Sequence, residues 1–233
     1  MGKQKFDLKE ADMKRRIRLF SVILLVSLSL LAVPVGNSTA RAATQPTMGD
    51  KDIPAKEIAL RNAMRKLWED HITWTRLFIV SAAADLPDKT TTTNRLLQNQ
   101  VDIGNAIKPY YGDAAGEKLT ALLKEHITTA AEIVTAAKAG DTAKMTDANR
   151  RWFANADAIA AFLSGANPKN WSSAGMTAMM HEHLNLTTNE VQAHLKGDWA
   201  ADVAAYDKVH EQILRMADML SDGIINQFPK QFK

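Results

Sequence analysis

From residue 56 onward, apolar side chains recur at three- and four-residue steps, the interval at which an α-helix brings side chains back to one face. Leu60, Met64, Leu67, His71, Trp74 and Phe78 predict a first helix over about 56–84, stopped by Leu86-Pro87-Asp88. Leu96, Leu97, Val101, Ile103 and Ile107 predict a second over about 91–108, ending before Pro109 and Gly112, with Asp113 as the N-cap of a third. The third extends to about 139, where Gly140 ends it and Asp141 caps the fourth. Trp152, Ile159, Phe162 and Leu163 mark that fourth helix, which closes at Gly165 to Pro168. The fifth starts at Ser172 or Ser173 and ends at Gly197, and Asp198 caps a sixth that reaches about Asn226. No run of β-branched residues alternates with period two, so the pattern predicts an all-α, antiparallel helical bundle of about six helices.

The helices come in pairs. Trp68 to Thr73, Leu123 to Thr128 and Met180 to Asn185 are three copies of one motif, each placing an acid directly before His71, His126 or His183. The histidines are 55 and 57 residues apart, and Asp102, Asp157 and Asp218 follow them by 31, 31 and 35. Such spacing predicts one helical hairpin used three times. It also suggests that each histidine bonds to the aspartate across its own hairpin, a polar contact that would fix register.

The ends change the electrostatic picture. A basic start with Lys14, Arg15, Arg16 and Arg18 precedes an apolar run of seventeen residues from Leu19 to Val35, followed by Ala40-Arg41-Ala42. This reads as an export signal cut after Ala42, the alternative being an uncleaved N-terminal anchor through residues 19–35 that holds the chain to the membrane. The expected order is therefore residues 1–43 signal or anchor, 44–55 tether, 56–227 bundle and 228–233 C-terminal tail. Eight of the 29 basic and three of the 26 acidic residues lie in the first 42, leaving 21 and 23. Net charge thus turns from +3 to −2, and nucleic acid is not an expected partner. With no cysteine there is neither a disulfide nor a thiolate site, so an exported chain must rely on its core.

Few residues suggest chemistry. Glycines Gly104, Gly112, Gly116 and Gly140 stand singly, with no phosphate-cradling loop, and no Gly-x-Ser-x-Gly elbow or His-Glu-x-x-His motif occurs. Only the third hairpin has a polar stripe, His183, Thr187, Glu190 and His194 at steps of four, three and four. Together with Asp207 and His210 on the next helix, His183, Glu190 and His194 form a candidate set of ligands for a divalent transition metal. Met176, Met179, Met180, His181 and His183 offer softer ligands suited to copper(I), although methionine at this spacing also fills cores. Trp68, Trp74, Trp152, Trp171 and Trp199 could line an apolar cleft between helices.

The stretches Leu67 to Arg76, Asn99 to Gly112 and Gly223 to Pro229 resemble a group of exported helical proteins from spore-forming bacteria, some of which carry the names acetylglutamate kinase and glycosyltransferase. The resemblance covers nearly all of the chain after the signal. Those enzyme names imply an α/β sheet with glycine-rich turns or a nucleotide-sugar fold, whereas these residues read as helix throughout. The expectation is an exported binding protein for a metal ion or small ligand at the cell envelope. A structural or interaction protein of the envelope or spore surface, and a metal-dependent hydrolase, are the alternatives.

Overall fold

The computed structural model describes residues 53–233, so the signal or anchor and most of the tether lie outside the described residues. Six helices follow one another: α1 Ala55–Ala83, α2 Lys89–Tyr111, α3 Asp113–Ala139, α4 Thr142–Ala166, α5 Ser173–Lys196 and α6 Trp199–Gln227. Each packs on its neighbours in sequence, and α6 returns to pack on α1, closing a ring. Across the middle, α1 also touches α3 and α5. Short turns force each consecutive pair to lie antiparallel. The turns inside the three hairpins therefore share one end of the bundle, and the two connections between hairpins share the other.

The stops and starts follow local chemistry. Gly140 and Gly197 take left-handed backbone at φ 68° and 71°, which lets the following amides return to Ala136 and Ala193 carbonyls. Asp141, Ser172 and Asp198 then cap the next helices by accepting from Lys144, Gly175 and Ala201 amides. Two expectations are corrected here. Pro109 lies inside α2 rather than beyond it, because proline removes only its own amide and the helix has just Tyr110 and Tyr111 left to run. Asp113 is the first residue of α3 and not its cap; Gly112 holds that position, and the Asp113 side chain reaches only Lys108, at 3.7 Å.

Two apolar clusters fill the ring. The larger, with Met64, Trp68, Ile103, Leu119, Ile159, Leu184, Ile213 and Ile224, runs toward the end where hairpins connect. There Asn167, through its side-chain amide, donates to the Gly223 carbonyl at 2.8 Å, and Tyr110 stacks on Phe232, which is itself buried. The smaller, with Phe78, Ile79, Leu96, Ile127, Val134 and Val191, lies toward the hairpin turns. At mid-height the interior is polar: His71, Asn99, Gln100, His126, Asn155, His183, Thr187 and Gln212 are all buried.

Candidate functional site

The three repeated histidines meet inside the ring. The His71 and His183 rings have centroids 5.7 Å apart and those of His126 and His183 6.2 Å, and each residue is less than 5 % exposed. Their partners are not the aspartates expected from the repeat. Each ring instead meets a carboxamide 29 positions downstream, Gln100, Asn155 or Gln212. Asp102, Asp157 and Asp218 sit farther out, where they contact Gln98, His181 and Arg65. The reason is position on the helix: two or more residues beyond the carboxamide, the side chain has turned away from the axis, and a carboxylate there avoids the cost of burial.

The carboxamides settle which nitrogen carries the proton. Asn155 Nδ2 donates to the Leu122 carbonyl and Gln212 Nε2 to the Met179 carbonyl, both at 3.1 Å, so the amide oxygens must face the rings. His126 Nδ1–H therefore donates to Asn155 Oδ1 at 3.3 Å, and His183 Nδ1–H to Gln212 Oε1 at 3.1 Å, leaving a lone pair on each Nε2. The first hairpin splits this task between two residues. Asn99 donates to the Leu67 carbonyl at 3.0 Å, while Gln100 Nε2 donates to the Leu96 carbonyl at 2.9 Å and to Asn99 Oδ1 at 3.1 Å. That same nitrogen lies 3.3 Å from His71 Nδ1, but its two protons are already spent, so here the amide does not set the tautomer of the ring. Burial keeps all three rings neutral, pushing His126 down to about 3 and His183 down to about 4. His71 is also held well below the usual histidine range, by burial first and then by the two neighbouring rings.

Among the described residues, no three His, Asp or Glu side chains form a group that could hold a metal ion. The five candidate ligands read from the third hairpin are dispersed accordingly. His183 is in the central layer. Glu190, 1 % exposed, accepts from Arg76 at 2.7 Å, and Arg76 also makes two 2.9 Å bonds to Asp202. His194 Nδ1 meets the same Asp202 at 2.9 Å. His210 pairs with Glu69 at 2.8 Å, and Asp207 is exposed. Burial raises the Glu190 carboxyl against the pull of Arg76. For Asp202, burial also works to raise it, but hydrogen bonds from Arg76 and His194 prevail and hold it low. Of the methionine cluster, Met176 and Met180 are core residues and His181 pairs with Asp157 at 2.7 Å.

Between the histidine layer and the hairpin turns lies an apolar cavity of about 60 Å³. Phe78, Ile79, Ile127, Ala130, Ile133 and Val191 are among its walls, and no charged residue lines it. Trp152 and Thr187 line it too, and both are buried. Trp152 Nε1 and Thr187 Oγ1 have no hydrogen-bond partner among the described residues. Thr187 is unusual in this, because Thr75, Thr135 and Thr188 all return their hydroxyls to the carbonyl four residues back. Trp152 packs on His126 with centroids 5.2 Å apart, so the cavity and the histidine layer share a wall.

Asn99, Gln100, Asn155, Gln212, Trp152 and Thr187 were thus the site residues that the acid-histidine motif did not reveal. The readable signal was an amide residue 29 positions after every repeated histidine. Compared with models of known protein families, with curated proteins and with solved structures, the chain matches none. Among the described residues no helix is long and apolar enough to cross a membrane.

Proposed function

We propose that the bundle is a binding protein for small, neutral, mostly apolar molecules, working outside the cytoplasmic membrane after export on its N-terminal segment. The observation that carries this reading is the apolar cavity of about 60 Å³, whose lining includes Trp152 and Thr187 and no charged residue. An apolar enclosure is the usual form of a small-molecule site, and one of about 60 Å³ suits only molecules far smaller than those of ordinary ligand pockets. A charged ligand would lose its hydration and meet no counter-charge among the lining residues. Trp152, which lines the cavity and packs on His126, joins it to the carboxamide-held histidines. Apart from threonines the lining holds no acid, base or histidine to activate a nucleophile, which favours binding over catalysis.

Thermal unfolding under xenon and with the smallest alkanes, ethers and ketones tests the proposal. A ligand at about one hundred times its Kd should add roughly 2.7 kcal/mol of stability. Ala130→Leu, which puts a branched side chain into the cavity one turn after His126, should abolish that shift while the protein stays folded. Failure of every compound to move the midpoint, or an unchanged shift in Ala130→Leu, would refute it.

A further inference from the structure

We propose that the face shared by the end of α1 and the start of α6 docks a second copy of this chain, met across a two-fold axis that sets the two α6 helices antiparallel. The surface is separate from the cavity. From His71 to the end of α1 the only Lys, Arg, Asp or Glu is Arg76, and from Trp199 to Tyr206 the only one is Asp202. These two bond to each other. The other parts of the same helices, residues 55–70 and 207–222, carry seven and six charged residues. Yet the uncharged part is not buried: Trp199 is 62 %, Val203 54 % and Leu77 43 % exposed. The contacts of Glu69 with His210, Thr73 with Tyr206 and Arg76 with Asp202 fix the register of α1 against α6, and so set Leu77 beside Val203. Apolar side chains grouped on an otherwise charged surface mark an interaction site.

The order of residues along α6 selects the occupant. Placing α6 against an antiparallel copy of itself, with the axis between Ala201 and Asp202, brings Trp199 to Ala204 of the copy and Val203 to Ala200 of the copy. All four are exposed, and each large side chain meets a small one. The same register brings Lys196 to Asp207 of the copy, so opposite charges meet at both rims; both residues are exposed. A lipid surface would instead favour basic residues all round the face. Trp199 is also held before contact, its ring edge-on to His194 at 5.3 Å between centroids, and His194 bonded to Asp202 at 2.9 Å. A fixed tryptophan is a common interface anchor, because it loses little freedom on docking. Two helix faces of three turns measure about 16 Å by 20 Å. That is less than the roughly 800 Å² per partner of a standard interface, so monomer and dimer should exchange.

Sedimentation velocity of the purified chain from micromolar to millimolar concentration should show a monomer passing into a dimer. Val203→Glu, which puts a charge at the centre of the contact, should leave a monomer throughout, with its helix content by circular dichroism unchanged. Lys196→Glu sets like charges against each other at both rims and should weaken the dimer about threefold to thirtyfold, in keeping with the modest worth of exposed pairs. Asp207→Lys should do the same, and the double variant, with the charges exchanged, should regain the parent's dissociation constant. A monomer at the highest concentration, a dimer that persists in Val203→Glu, or a double variant no better than the singles would overturn the proposal. So would binding to phosphatidylcholine vesicles without a dimer, read as a blue shift of tryptophan emission that Trp199→Phe abolishes.

Discussion

A neutral imidazole has one nitrogen that gives a proton and one that takes it, and burial makes each choice matter. Here the choice is imposed from outside the ring, by amides whose own N–H groups are spent on backbone carbonyls of the facing helix. Removing the clamp in Asn155→Ala should orphan His126 Nδ1–H, and cost about 1 to 3 kcal/mol in urea denaturation. Asp157→Ala, two residues on and paired only with His181 near the surface, should stay within roughly 0.5 kcal/mol of the parent. Long-range nitrogen-proton NMR should find the proton on Nδ1 of His126 and of His183. The repeat made the histidines readable as a shared structural feature, yet it pointed to aspartate as their partner. Asparagine and glutamine are common on exposed helix faces, so their residue type gave no sign that four of them lie inside; only the constant spacing did.

The helices themselves were mostly legible, because apolar period, aspartate caps and glycine stops all marked the same boundaries. The one junction that misled was Pro109 to Asp113, where two stop signals stand three residues apart and the later one, Gly112, governs. What the apolar pattern could not convey was how closely two helices approach. Gly104 on α2 and Gly116 on α3 face each other so that a Cβ on either would lie 2.6 Å from the other's carbonyl oxygen. Backbone cannot yield as a flexible side chain does. Gly116→Ala should therefore destabilise by about 1 to 3 kcal/mol, in the range of overpacked cores, although alanine is the better helix former. Comparing urea midpoints with Gly165→Ala, a position with open space, separates the steric term from propensity.

For the whole molecule, the three neutral rings set an acid limit. A histidine held below its ordinary value binds fewer protons folded than unfolded, so stability is retained above about pH 6.5 and lost as pH falls toward the folded values. With His126 pushed down to about 3 and His183 down to about 4, the loss should run from about 6.5 down to about 4 for His183 and on to about 3 for His126. Glu190 acts in the opposite sense, since its raised carboxyl takes up a proton more readily when folded. Urea midpoints measured at pH 7, 6 and 5 should fall steadily for the parent, and less steeply for His126→Gln. The ring closes where no loop joins its helices: at the α6–α1 contact, Arg61 pairs with Asp222, Arg65 with Asp218 at 2.6 Å, and Arg76 with Asp202 at 2.9 Å, while Lys56 reaches the last carbonyl at 2.8 Å. The two ends of residues 53–233 therefore lie side by side, and the starting point of the chain around the ring is arbitrary. A circular permutant that joins Lys233 to Ile53 through a short flexible linker and opens at Gly140 should fold to the same bundle. In the parent, salt should loosen this joint before any other, so the first and last helices would be the ones to peel apart.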